Sequence, residues 1–179
     1  MLLSYKFRIE PNRTQAVALG EMLGDFCQLY NAALEQRIAA YQRRGVSLRY
    51  NDQAAELKAT RLAHDGLARW SFSAEQQVLR KLEKAFAAFF GRIRRGAKPG
   101  FPRLRARDRY HAADFRVGDG LTIRKSGKLG FVGVPGEIKV RWHRELPNAP
   151  KSAILTRQAG KWPASGTSCS TLRSRPPST

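Results

Sequence analysis

The stretch of this chain richest in chemistry is Lys98-Pro99-Gly100-Phe101-Pro102-Arg103-Leu104-Arg105-Ala106-Arg107-Asp108-Arg109-Tyr110. Pro-Gly and Phe-Pro deny it a continuous helix, because proline has no N–H and holds the residue before it extended. Between residues 92 and 109 stand eight basic side chains, Arg92, Arg94, Arg95, Lys98, Arg103, Arg105, Arg107 and Arg109, against one Asp, a local charge of +7. The last four alternate, so an extended backbone would send them to one side as a row. A guanidinium offers a planar fork that fits two phosphate oxygens at once. Each phosphate so neutralised releases condensed counterions. The competing reading is a solvated basic loop without a partner, but a row of unpaired arginines serves no packing purpose.

The whole chain has the same bias. Its 179 residues carry 33 Lys and Arg against 14 Asp and Glu, a formal charge of +19. Such an excess repels itself on folding, and a polyanionic partner accounts for it. No amphipathic anchor accompanies the charge, so a membrane is not expected as partner. No apolar run approaches the roughly 18 residues of a membrane span, and Met1–Lys6 turns polar too early for a leader. A cytoplasmic protein, nucleoid-associated where it holds DNA, is the expectation.

Other chemistries find little support. His64, His111 and His143 are not spaced as metal ligands, and Cys27 and Cys169 form no CxxC pair, so neither a metal nor a cofactor is expected. Two-metal phosphodiester cleavage needs several converging carboxylates. After Asp119 only Glu137 and Glu145 remain, and the earlier acids are scattered singly over helices. No catalytic centre is expected in this sequence as it stands.

These side chains must be held by elements the periodicity predicts. Leu3, Tyr5, Phe7 and Ile9 alternate with Ser4, Lys6 and Arg8, the signature of a half-buried strand. Pro11 stops it, and Asn12 can cap the helix that follows, which carries Phe26, Tyr30, Leu34, Ile38 and Tyr41 and ends at Gly45. A shorter helix is predicted over 51–63. A third starts at Ser73, where Ser73-Ala74-Glu75-Gln76 fits a capping box, and ends near Gly96. Phe86, Phe89 and Phe90 on that helix could stack on bases, but their register with Leu82 and Ile93 assigns them to the core, as it does Tyr30, Tyr41 and Trp142. Tyr50 and Trp70 fall in connecting segments, where exposure is easier. From residue 113 the period returns to two: 114–117, 121–125, 128–132, 137–143 and 152–158 read as short strands between Gly, Ser and Pro turns. The first strand has only these to pair with. In residues 163–179, eleven of 17 are Ser, Thr or Pro and no period survives, so disorder is expected.

The fold class is therefore α+β, a small antiparallel β-barrel with an inserted helical segment and a disordered tail. Residues 1–10 and 111–162 make the β-domain, 11–110 the helices, and 163–179 the tail. Ser4-Tyr5-Lys6-Phe7-Arg8-Ile9-Glu10-Pro11-Asn12, Tyr30-Asn31, Leu82-Glu83-Lys84-Ala85-Phe86 with Phe89-Phe90, and Lys98-Pro99-Gly100-Phe101-Pro102-Arg103 closely resemble the N-terminal half of the TnpB (OrfB) transposon proteins, over about 1–162. The resemblance implies a wedge-type barrel interrupted by a helix-turn-helix-like recognition domain. It also implies an RNA made from the transposon end as guide, and a DNA target read beside a short motif. By position, Tyr50 and Gln76 fall where the family contacts that motif. Family members continue into a RuvC-like nuclease domain with an Asp-Glu-Asp metal site. Here Trp162 meets a Ser/Thr/Pro tail, as a frameshift would produce, so a fragment that binds without cutting is expected. A separately encoded nuclease half, a stand-alone helix-turn-helix DNA regulator and a product without function are the other readings.

Overall fold

The alternation at the N-terminus becomes strand β1 (Leu3–Glu10), with Phe7 and Ile9 buried and Lys6 and Arg8 exposed. In the computed structural model, which describes residues 3–146, 149–157 and 168–174, four helices follow: α1 (Arg13–Arg44), α2 (Tyr50–Ala63), α3 (Asp65–Ala68) and α4 (Phe72–Arg94). A 3-10 turn at Arg107–Arg109 then leads to β2 (Ala112–Val117), β3 (Gly120–Ile123), β4 (Leu129–Phe131), β5 (Lys139–Arg141), β6 (Ser152–Arg157) and β7 (Ser168–Ser174).

Asn12 caps α1 as its type predicts. Its Oδ1 accepts from the Gln15 N–H at 2.8 Å, while Gln15 Oε1 accepts from the Asn12 N–H at 3.0 Å, a reciprocal box that satisfies two free donors. The Gln15 amide also donates to the carbonyls of Pro135 (3.0 Å) and Glu137 (3.2 Å), so the cap holds the turn before β5. Helix α4 begins earlier than its sequence suggests. Ser71, not Ser73, is the N-cap, accepting from the Ala74 N–H at 3.4 Å, and Ser73 instead donates to the Asp119 carbonyl at 3.1 Å. A hydroxyl near a helix start goes to whichever partner the tertiary fold presents, here the β2–β3 turn.

The sheet runs in the order β4-β3-β2-β6-β7-β1-β5, so β1 pairs with strands that follow the helices. Arg8 faces Arg141 and Glu10 faces Lys139 across the antiparallel β1–β5 pair. Leu129 and Ile138 exchange both backbone hydrogen bonds (2.9 and 2.7 Å), linking β4 at one edge to the segment entering β5 at the other. That bridge curls the sheet toward a barrel. Two details differ from what the sequence suggests. The β2–β3 pairing, Arg116 with Gly120 and Val117 with Leu121, is parallel, so the sheet is mixed. The tail expected to be disordered contains β7, which lies antiparallel between β1 and β6. The facing edges of those two strands supply its backbone partners, which polar composition alone does not reveal. The rest of that tail lies outside the described residues.

One apolar core joins the helices to the sheet, through Leu19, Leu23, Phe26, Leu79 and Leu82 on one side and Phe7, Ile9, Leu121, Leu129 and Ile138 on the other. Trp70, in a connecting segment where exposure is easier, is instead 1% exposed, and its indole N–H donates to Asp25 Oδ2 at 2.7 Å. Gly133, at φ 84°, lies so close that a Cβ there would stand 2.6 Å from both the Arg69 carbonyl and the Trp70 ring. Tyr41 and Trp142 are corrections in the other sense. Tyr41 is 65% exposed near the end of α1, beyond the reach of the sheet, and Trp142 is partly exposed, with its N–H donating to the Gly127 carbonyl.

Glu75 is fully buried beside Arg61 (Nη1–Oε2 2.6 Å), and its Oε1 has no partner among the described residues. Burial outweighs the guanidinium and pushes its carboxyl up to about 7. The folded chain therefore holds a proton that the unfolded chain releases between about pH 4.5 and 7, and stability falls as pH rises through that window. Glu75→Gln keeps an acceptor for Arg61 and should flatten the fall, by at most about 1.4 kcal/mol per pH unit. Urea unfolding across that range checks this; identical slopes in both proteins would refute it.

Candidate nucleic-acid interface

Helix α4 changes character half-way. Val78, Leu79 and Leu82 are buried, whereas Phe86 and Phe89 are half-buried and Phe90 is 53% exposed. Phe86 still packs against the core, whereas Phe89 and Phe90 run past it, so the expectation that all three fill the core fails for the last two. Arg92, Arg94 and Arg95 follow, all exposed, and Gly96 (φ 66°) turns the chain, its N–H bonded to the Ile93 carbonyl.

The chain then doubles back along the helix it has left. Phe101 sets its ring edge-on to Phe86 (5.7 Å) and Phe89 (5.2 Å), and Pro102 is buried. The backbone of Arg105 is next clamped to α1. Its N–H donates to Asn31 Oδ1 and its carbonyl accepts from Asn31 Nδ2, both at 2.8 Å, with the Cys27 thiol donating to the same carbonyl at 3.2 Å. Arg107 packs its guanidinium onto Gly24 of α1; a Cβ there would lie 2.4 Å from Nε. Arg107–Arg109 then wind into the 3-10 turn, so the period of two breaks and the four arginines do not form one straight row. Arg103, Arg105, Arg107 and Arg109 are all exposed, as is Lys98. Among the described residues none of these eight basic side chains makes an ion pair.

Tyr50 and Gln76 belong to a different corner, where α2 starts beside α4. Tyr50 opens α2 and donates its N–H to Glu83 Oε2 at 3.1 Å, while the Arg80 guanidinium lies 4.5 Å over its ring. Gln76 sits one turn before Arg80 on α4, which puts the two side chains on one face. Beneath them Arg37 of α1 pairs with Glu83 (2.8 Å) and donates to Gln53 (2.8 Å) of α2. The sequence alone does not bring out Arg80, Arg37 or Glu83. Arg80 carries a local signal, since it stands four residues from Gln76, and Glu83 stands in the Leu82–Phe86 motif, though its partners come from other helices. Nothing nearby marks Arg37. Asn31 stands in the Tyr30-Asn31 motif, but its hold on the linker emerges only in three dimensions. Among the described residues no group of histidine, cysteine and carboxylate side chains could hold a metal ion, and no helix is long and apolar enough to cross a membrane.

Residues 1–46 match the helix-turn-helix domain model of the OrfB proteins of IS605. A protein of Streptomyces pristinaespiralis named "Putative RNA-guided DNA endonuclease" is 30% identical over 166 residues, covering 89% of this chain. The chain is similar to the N-terminal part of TnpB/OrfB proteins. It spans 39% of that relative's length. In this TnpB-like chain the matched segment comprises β1, all of α1 and the start of the turn after it, so the next helix, α2, lies outside the match. The residues that carry the family resemblance have visible work: Asn31 fixes the basic linker, and Phe101 wedges between Phe86 and Phe89.

Asn31→Ala removes both side-chain bonds to Arg105. Its backbone groups are exposed and water can replace the partners, so the stability loss should stay near 1 kcal/mol. Hydrogen exchange at the Arg105 amide should quicken at least tenfold while the α4 amides of Val78–Leu82 stay protected. Unchanged exchange at Arg105 would show that the clamp does not order the linker.

Proposed function

We propose that this chain is the nucleic-acid-binding part of a TnpB-type transposon protein, gripping RNA and DNA through their phosphates. The observation that carries this reading is the set of eight exposed basic side chains between Arg92 and Arg109, none in an ion pair among the described residues, with the linker backbone tied to α1 at Arg105 by Asn31. Tethering matters, because a cation held in place loses less ordering entropy on binding than one on a free loop. Arg92, Arg94, Arg95, Lys98, Arg103, Arg105, Arg107 and Arg109 are the phosphate ligands in this reading. Tyr50 and Gln76, with Arg80 over the tyrosine ring, form the surface that meets the DNA motif beside the target.

A transposon-derived guide RNA and a DNA duplex are the partners this implies, given the name of the Streptomyces relative. Residues 1–10 and 111–162 form the wedge-type β-domain of this reading, and the inserted helices, 11–110, the recognition part that meets the nucleic acid. Cleavage belongs to that longer relative by name; the role proposed for these residues is to bind and position.

The test is a binding titration with structured RNA and with duplex DNA at several salt concentrations. Log affinity should fall linearly with log salt. Replacing Arg103 and Arg105 by Gln should weaken binding to all sequences alike. The slope should become shallower by about one for each phosphate that is no longer neutralised. An affinity that does not respond to salt, in a chain shown to be folded, would sink the proposal.

A further inference from the structure

Between the two groups of proposed binding residues lies a cleft of about 870 Å³ that neither uses. Phe86, Phe89, Phe90 and Phe101 line it together with Tyr41 and Ile38 of α1. At one end it reaches Glu83, the acceptor for Tyr50; at the other it reaches Phe101, two residues before Arg103. Its aromatic walls are open: Tyr41 is 65% and Phe90 53% exposed, and Phe101 is exposed as well.

Two features say what would fill it. Arg37 lines the cleft with its side chain only 5% exposed, and its Nη2 has no hydrogen-bond partner among the described residues. A buried donor without an acceptor is costly, and a carbonyl entering the cleft would satisfy it. The surroundings are cationic: Arg43, Arg44 and Arg49 lie on the α1–α2 side and Arg92, Arg94 and Arg95 at the end of α4, while the Glu83 carboxylate is already engaged by Arg37. Aromatic faces, a carbonyl-seeking guanidinium and a positive rim together match an unpaired nucleobase on a phosphate backbone. Gln42 and Ser47, exposed among the lining residues with no side-chain bond among the described residues, are free to meet a ribose 2′-hydroxyl.

We infer that the cleft between the ends of α1 and α4 binds an unpaired base of single-stranded RNA, stacked on Phe90 and Tyr41 with its carbonyl toward Arg37. This rests on the nucleic-acid reading above and adds a site and a ligand class to it. The base adds stacking to a binding mode otherwise made of phosphate contacts. Its loss should therefore weaken affinity without changing the salt slope.

The experiment uses the full chain and a single-stranded RNA of about 12 nucleotides carrying one 2-aminopurine, whose fluorescence is quenched by stacking. Single-stranded DNA of the same sequence and the RNA in a full duplex are the other arms. The wild-type chain should quench the single-stranded RNA probe. Phe90→Ala, at an exposed position, should abolish the quench and weaken binding on the order of tenfold at an unchanged salt slope; Tyr41→Ala should do likewise, and Phe90→Trp should restore both. Salt-dependent RNA binding that ignores all three variants would overturn the cleft assignment and leave the phosphate reading standing. Equal quenching and equal Phe90 dependence with single-stranded DNA would overturn the choice of RNA. Self-association lost in Phe90→Ala without RNA would make the cleft an interface between copies instead. No binding to any nucleic acid would remove both proposals together.

Discussion

A guanidinium buried where three helices meet sets the geometry of the rest. Arg37 projects from α1, donates through Nε to Gln53 of α2 and pairs through Nη1 with Glu83 of α4, with the Phe86 ring 5.1 Å from its Cζ. Gln53 in turn donates to the Ala33 carbonyl and to Gln36 Oε1, so the network closes back on α1. Burying such a charge is worthwhile only when its partners are fixed. Glu83 is itself partly open to water, which softens the pair. What the network gives is position: the start of α2, and with it Tyr50, is placed against α4 by the same carboxylate that holds Arg37.

From this junction the molecule divides into a dry half and a wet half. The first turns of α4 are sunk between α1 and the sheet, with Glu75 sealed beside Arg61, whereas the last turns stand beyond the sheet and offer phenylalanine and arginine to solvent. The linker makes use of this overhang. It returns along α4, inserts Phe101, and crosses to α1, where Asn31 takes both its backbone groups. Cation and aromatic groups therefore sit on a scaffold and not on a free loop, and a scaffold can present a repeatable pattern of contacts.

Much of this was legible in the residues. Strict alternation marked β1, Asn12 and Gly45 bracketed α1, and the density of arginine from Arg92 to Arg109 marked the exposed surface. What escaped were contacts decided by distant elements. Trp70 looked peripheral because it falls in a connecting segment, yet Gly133 and Asp25 close over it from elsewhere. Phe89 and Phe90 looked internal because helical register reports which way a side chain points and not how far the opposing layer extends. The even spacing of four arginines suggested a straight row, but a 3-10 turn intervenes at Arg107–Arg109, where Arg157 also donates to the Asp108 carbonyl. The strand Ser168–Ser174, mostly serine, threonine and cysteine, carried no periodic signal because its place is set by two waiting edges.

The position of β1 has a cost in assembly. It is made before the helices, yet its ladder partners lie past all four of them, with Leu3 opposite Ser174 and Ile9 opposite Val140. Local helical contacts can form as soon as their residues leave the ribosome, but a sheet that joins strands from either side of the helices must wait for synthesis to reach the later ones. Until then an amphipathic ribbon with a bare hydrogen-bonding edge is available to other nascent chains. A helper that shields such edges, or a polyanion that gathers the arginine-rich helices early, would be expected to raise the yield of correctly joined molecules.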